Sequence, residues 1–305
     1  MKRLAIAAAL PVSAILLMGA AAPPTTPAPV DPAKVTVETT KLGPGVAVLF
    51  GAGGNIGVSY GEDGTFFVDD QFAPLTPKIL EATKALDPKP VRFVVNTHWH
   101  FDHSGGNENL GKEGTVIVAH DNVRRRMAVE GFIEELNAKF PASPHAALPS
   151  VTFAEGVTFH VNGDTLQVVH VPPAHTDGDA IVKWQKANVL HMGDVYNASG
   201  VPFVDRSSGG TVAGMIAAMD IAMGFADDNT KVVPGHGKIS TKADMKMYRD
   251  GVDAMLKRVA AEQKAGKTLD QVLALKLTWK TPMGTEMPAD RLIRSAYNEL
   301  ASAKK

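Results

Sequence analysis

The sequence predicts an α/β (α+β) chain in which two sheets pack together with helices outside. Three observations carry this. Short β-branched and aromatic runs are punctuated by Gly-rich turns, these runs come in two rounds each followed by helical patterning, and His and Asp residues of metal-ligand type fall at strand ends. A four-layer αββα sandwich is one of several mixed folds such a pattern allows, and the motifs decide among them.

The N-terminus stands apart. Lys2 and Arg3 precede an almost wholly apolar run over 4–17, which ends in Gly19, Ala20, Ala21 and Ala22. That is the layout of a signal peptide over 1–22, too short to span a membrane, so the expected location is periplasmic or secreted with no stable membrane anchor after cleavage. Pro23, Pro24, Pro27, Pro29 and Pro32 then mark a linker over 23–34. The remainder, 35–305, is expected to form the functional domain with helices at its C-terminal end.

From Val35 the runs 35–39, 46–50, 56–60 and 65–68 read as an antiparallel meander. A helix follows over 77–86, then a buried strand over 91–96. The second round has a strand at 116–119, a helix at 121–137 capped by Asp121, and a Pro-rich loop at 140–150. Strands are expected at 151–153, 157–161, 166–171, 180–184, 189–192 and 231–233. Helices are expected at 210–224, 242–264, 269–277 and 289–301.

Composition limits the function. Hydrophobic residues make up 45% and charged residues 21%, the usage of a folded globular chain. The net charge of −1 becomes −3 once Lys2 and Arg3 are removed, which argues against a nucleic-acid partner held by phosphate contacts. There is no cysteine, so cysteine nucleophiles and thiolate metal sites are excluded, and any metal must be held by His and carboxylates.

The strongest motif is His98-Trp99-His100-Phe101-Asp102-His103, between the buried strand at 91–96 and the Gly105-Gly106 turn. Residues two apart in extended chain face the same way, so His98 and His100 can converge on one metal. The turn that follows can bring Asp102 and His103 to a second. Imidazole with carboxylate suits zinc, with manganese or iron as alternatives. His175, Asp194 and His236 each follow a strand and are flanked by Gly or Pro that let the loop bend. His160, His170 and His191 lie within strand patterns and read as core or supporting groups, His120 as a strand end, and His145 as surface. Asp69, Asp70 and Asp179 read as partners for ligating imidazoles.

The HxHxDH loop at 98–103, His-Thr-x-Gly-Asp at 175–179, Gly-Asp at 193–194 and Pro-Gly-His-Gly at 234–237 together resemble the metallo-β-lactamase superfamily, over about Val46 to Gly237. The resemblance implies a four-layer αββα metallo-β-lactamase sandwich with two Zn2+ per chain. His98, His100 and His175 would hold the first metal, Asp102, His103 and His236 the second, with Asp194 bridging. The all-His/Asp set looks like that of glyoxalase II and the lactonases. It departs from the largest class of β-lactamases, where a cysteine stands at the position of Asp194, and from the flavodiiron branch, which has Glu where this chain has His100. A hydrolase is therefore expected rather than an oxidoreductase.

Two zinc ions sharing a carboxylate lower the pKa of a bridging water to about 7, so a hydroxide attacking a carbonyl carbon is the expected chemistry. Asp102 is assigned to hold the nucleophile, and Tyr196, close after Asp194, to donate to the oxyanion. The lactonase tyrosine stands one residue further on, where this chain has Asn197. The expected partner is a small molecule: a β-lactam, lactone or thioester. The alternatives are a phosphodiesterase and a non-catalytic zinc-binding module. The walls are expected from 51–57, 132–150 and 199–210.

Overall fold

The computed structural model describes Thr25 and residues 30–303, so the expected signal peptide and part of the linker lie outside the described residues. Strands β1 (Glu38–Gly43), β2 (Val46–Phe50), β3 (Ile56–Gly61) and β4 (Gly64–Val68) form the expected antiparallel meander. Helix α1 (Thr76–Lys84) leads to β5 (Val91–Val95), which pairs parallel with β4. The short helices α2 (Phe101–Ser104) and α3 (Asn107–Lys112) lead to β6 (Val116–His120), parallel to β5. After α4 (Asp121–Met127) and a hairpin of β7 (Gly131–Ile133) and β8 (Ala138–Phe140), β9 (Val151–Phe153) joins β6 at the edge of a seven-stranded sheet.

The second sheet has the order β10 (Gly156–Val161), β11 (Asp164–His170), β12 (Ala180–Trp184), β13 (Val189–His191), β14 (Lys231–Val233), with α5 (Val212–Gly224) connecting the last two in parallel. The chain continues through α6 (Lys242–Lys264), α7 (Leu269–Leu273), a small hairpin of β15 (Thr278–Lys280) and β16 (Glu286–Pro288), and α8 (Asp290–Ser302).

Period-2 alternation builds the layers. In β2, Val46 and Val48 face the second sheet, where Val68, Val95 and Val118 meet Val168, Val182 and Trp184. The intervening Ala47 and Leu49 face outward with Phe67 and Val94 onto Leu75, Ile79 and Leu110 of the α1 and α3 side. On the other outer face, Ile181, Leu190 and Val232 pack against Met215 and Met219 of α5, Tyr248 and Val252 of α6, and Leu292 and Ile293 of α8. Both sheets are thus covered outside and pressed together inside, an αββα sandwich. Trp184, fully buried between the sheets, fits because Gly57 has no side chain: a Cβ there would lie 2.7 Å from its ring. Truncating Trp184 to Ala costs about 3–5 kcal/mol.

Several expected boundaries change. The helix expected over 121–137 stops at Met127: Gly131, packed against the Trp99 ring, starts β7, and the left-handed Asn137 (φ 47°) closes the turn into β8. Its cap is His120, whose side chain accepts the Asn122 N–H at 3.2 Å, and not Asp121. The helix expected over 269–277 ends at Leu273, and Lys276 adopts φ 52° before β15. Thr211 caps α5 by accepting the Gly214 N–H, which delays that helix from 210 to Val212. The 35–39 run enters as a strand only at Glu38.

Candidate metal centre

Five loops meet at one edge of the sandwich. Asp69 follows β4, residues 96–103 follow β5, His175 lies between β11 and β12, Asp194 follows β13, and His236 follows β14. Tight backbone packing brings them together. Gly193 adopts φ 48°, and a Cβ on Gly235 would lie 1.9 Å from Asp194 Oδ1. Asp69 is left-handed (φ 64°), a conformation costly for a non-glycine residue. Its carboxylate holds it there, accepting from the Thr97 N–H at 2.7 Å, the Thr97 hydroxyl at 2.8 Å and His103 Nδ1 at 2.8 Å.

Hydrogen bonds around the imidazoles place their protons. The one hydroxyl proton of Thr97 goes to Asp69, so Thr97 Oγ1 accepts from His98 Nδ1 at 3.0 Å. His98 Nε2 is left as a buried lone pair with no partner. His100 donates Nε2–H to Asp205 Oδ2 at 3.0 Å, leaving Nδ1 as its lone pair. His175 donates Nδ1–H to the Phe203 carbonyl at 2.7 Å, leaving Nε2. The two bare nitrogens, His100 Nδ1 and His175 Nε2, then face each other 2.8 Å apart. Lone pairs repel at that distance unless a cation sits among them. Ligand atoms of His98, His100 and His175 lie within 4.8 Å of one another, so this donor set fits a metal.

A second set lies alongside. Asp102, His103 and His236 present ligand atoms within the same 4.8 Å limit, as do His98, His103 and Asp194. Asp194 reaches both sides: Oδ1 is 3.2 Å from His103 Nε2, while Oδ2 is 3.3 Å from His236 Nε2 and 3.8 Å from His175 Nε2.

Electrostatics separate the two sets. Burial, then repulsion from neighbouring imidazoles, drives His98 well below the usual histidine range and His175 down to about 4, so both rings are neutral and able to ligate. Burial opposes ionisation of Asp194 and Asp102, but attraction from His103 and His236 outweighs it, holding Asp194 well below the carboxylate range and Asp102 at about 2. Against the burial that opposes its charge, Asp194 and Asp102 push His236 up to about 10. The two carboxylates therefore concentrate negative charge where a second cation would sit.

All seven expected ligands, His98, His100, Asp102, His103, His175, Asp194 and His236, meet at this edge. Tyr196 does not. Its side chain is fully buried against Tyr248, and its hydroxyl donates to Ser240 Oγ at 3.0 Å, so the oxyanion role is withdrawn: the phenol points into the helical layer. Asp179 accepts the backbone N–H groups of His175 and Thr176, holding their loop, and Asp70 accepts that of Gly106. His191 bonds the Asn55 carbonyl, and His120 and His170 stack 3.7 Å apart. Sequence reasoning placed Asp205 only in a wall loop and gave Thr97 and Phe203 no part in holding a ring. No spacing signal marks them, because each acts through a contact that folding creates.

Fold and site together define an αββα sandwich whose His/Asp cluster fits metal at one edge. The chain belongs to the metallo-beta-lactamase superfamily, whose pattern it matches over residues 40–248. Among solved structures it is similar to a metallo-beta-lactamase from Pontibacter korlensis, with 20% identity, a TM-score of 0.58, and coverage of 72% of this chain and 99% of that one. It is similar to the metallo-beta-lactamase FIM-1 from Pseudomonas aeruginosa in its mono-zinc form, with 22% identity, a TM-score of 0.57, and coverage of 72% and 96%. The sec-alkylsulfatase Pisa1 from Pseudomonas sp. aligns over 87% of this chain and 50% of its own length, with 16% identity and a TM-score of 0.65. At these identities the likeness is one of fold.

Proposed function

We propose that the protein is a dinuclear zinc hydrolase that cleaves an acyl bond in a small molecule: a β-lactam, a lactone or a thioester. The observation that carries the proposal is the facing pair of bare nitrogens, His100 Nδ1 and His175 Nε2, beside the partnerless His98 Nε2. In this reading His98, His100 and His175 would hold one ion and Asp102, His103 and His236 the other, with Asp194 within reach of both sets. Zinc supplies Lewis-acid polarisation and lowers the pKa of water to about 7.

The chain's own residues set the geometry. Asp205, Thr97 and the Phe203 carbonyl lock the rings in one tautomer and orientation. Asp102 stays ionised and 22% exposed at its side chain, so its carboxylate can accept a hydrogen bond from an incoming nucleophile and hold it in position. A cavity of about 870 Å³ opens beside His236, lined by Phe50, Gly51, Gly53, Lys238 and Met283 among others, and it accommodates an acyl substrate. A small-molecule partner, no nucleic acid, and a periplasmic or secreted location complete the proposal. They are supported by the charge balance and by Lys2, Arg3 and the apolar run after them.

The test is turnover of the purified mature protein on a panel of a β-lactam, a lactone, a thioester and a phosphodiester, with and without chelator. Hydrolysis of an acyl substrate that chelation abolishes and zinc restores is expected. Phosphodiester turnover alone, or acyl turnover indifferent to chelation, overturns the proposal.

A further inference from the structure

A second cavity, of about 440 Å³, lies between the start of α7, the outer face of α8 and the segments around Glu135 and Arg206. Residues 291, 294, 295 and 298 follow helical i, i+3, i+4, i+7 spacing, so Arg291, Arg294, Ser295 and Asn298 share the face of α8 that lines it. Arg206 approaches from the loop that follows the Asp205 partner of His100.

Three cations line this cavity together. Elsewhere among the described residues Arg126, Arg249 and Arg258 are paired with carboxylates, and the Arg92 and Arg124 guanidinium groups donate to backbone carbonyls. Arg206, Arg291 and Arg294 have no carboxylate within 4.0 Å among the described residues, although Glu134 and Glu135 line the same cavity. Arg291 instead lies over the Phe203 ring, 4.8 Å from its centroid. Glu135 supplies the complementary group. One carboxylate oxygen accepts the backbone N–H of Arg206 at 3.4 Å, and the other, Oε2, is buried with no hydrogen-bond partner. Burial, with Asp205 and Glu134 nearby, raises the pKa of Glu135 above the usual carboxylate value, against the backbone N–H groups of Glu135 and Arg206 that lower it.

We infer that this cavity is a binding site for a small molecule that carries both a carboxylate and a nitrogen donor, as an amino acid or short peptide does. The ligand carboxylate pairs with the guanidinium groups of Arg291, Arg294 and Arg206, which match it geometrically. Its ammonium or amide N–H serves the orphaned Glu135 oxygen. Neither a simple anion nor a simple amine satisfies both sides. The site is distinct from the metal centre but adjoins it, since Phe203 has Arg291 on its ring and the His175 proton on its carbonyl.

Calorimetric titration of the mature protein with glycylglycine tests this, with glycylglycinamide (no carboxylate) and succinate (no nitrogen donor) as comparisons. Each titration is repeated on zinc-loaded and chelator-treated protein. Saturable binding of glycylglycine at millimolar concentration is expected, at least tenfold tighter than either comparison and unchanged by chelation. Arg291→Ala/Arg294→Ala should weaken it tenfold or more, and Glu135→Gln should weaken glycylglycine while sparing succinate. Circular dichroism confirms that each variant is folded. Absence of saturation, or binding that chelation abolishes and the double arginine variant retains, overturns the inference; in the latter case the carboxylate sits on the metal. Because the readout is binding, failure here leaves the hydrolase proposal to its own assay.

Discussion

Asp205 Oδ2 lies 3.0 Å from Nε2 of His100, across 105 positions of sequence, and this bond turns the other nitrogen of His100 toward His175. Asp205 is itself fixed, with a carboxylate that accepts the Ser208 N–H at 3.0 Å and a backbone N–H that donates to the His175 carbonyl at 2.8 Å. One residue therefore sets the ring of one ligand and the backbone of the next.

Asp205→Ala should lower zinc affinity by roughly 10–100-fold, the usual cost of losing a carboxylate behind a ligating imidazole. Competition with a chromophoric chelator measures it. Unchanged affinity would show that His100 is oriented by packing alone.

Asp194→Ala should remove the group that reaches both ligand sets, so metal content and turnover fall together while the far-UV circular dichroism stays native. Elemental analysis of the purified variant reads the first. Two zinc ions per chain with normal turnover would exclude Asp194 as a ligand.

Chelation should lower the melting temperature. Zinc at about 1,000 times its Kd contributes about 4 kcal/mol by mass action, which is on the order of 10 °C for a chain of this size. Because imidazole must be neutral to ligate, bound zinc should be released as pH falls, and the gap between loaded and chelated melting temperatures should close on acidification. A gap constant with pH would place the metal elsewhere.

Tyr196→Phe should leave turnover intact and cost about 1 kcal/mol, the net worth of one buried hydrogen bond to Ser240. Steady-state kinetics beside denaturant unfolding separate the two effects. A large fall in kcat without loss of stability would return the phenol to the chemistry.

Gly54→Ala should disturb the second ligand set, since the added Cβ would lie 2.1 Å from the His103 ring. Overpacking of this kind costs about 1–3 kcal/mol, relieved only if the ring or the 51–54 tip moves. Reduced metal stoichiometry is the expected result, and native stoichiometry with native stability would refute it.

The metal-ligand types were legible because a metal site needs donor groups that are scarce in sequence, placed at strand ends where loops can converge. The strands were legible because burial on one face or both leaves period-2 or continuous apolar runs, as in β2 and β12. The 121–137 segment misled because the left-handed Asn137 turns back a stretch whose apolar spacing also suits a helix. Tyr196 misled because proximity in sequence to Asp194 does not set the direction of a side chain; packing on Tyr248 does.

The sequence by itself determined the element pattern, the candidate donor residues and the family, since each rests on residue type and local spacing. Only the tertiary structure decided which nitrogens of His98, His100 and His175 are bare, that Thr97, Asp205 and the Phe203 carbonyl hold these rings, and that three arginines line a separate cavity with Glu135. The reason is physical: proton placement and charge pairing depend on neighbours a few ångströms away, and those neighbours are remote in sequence until the two sheets close.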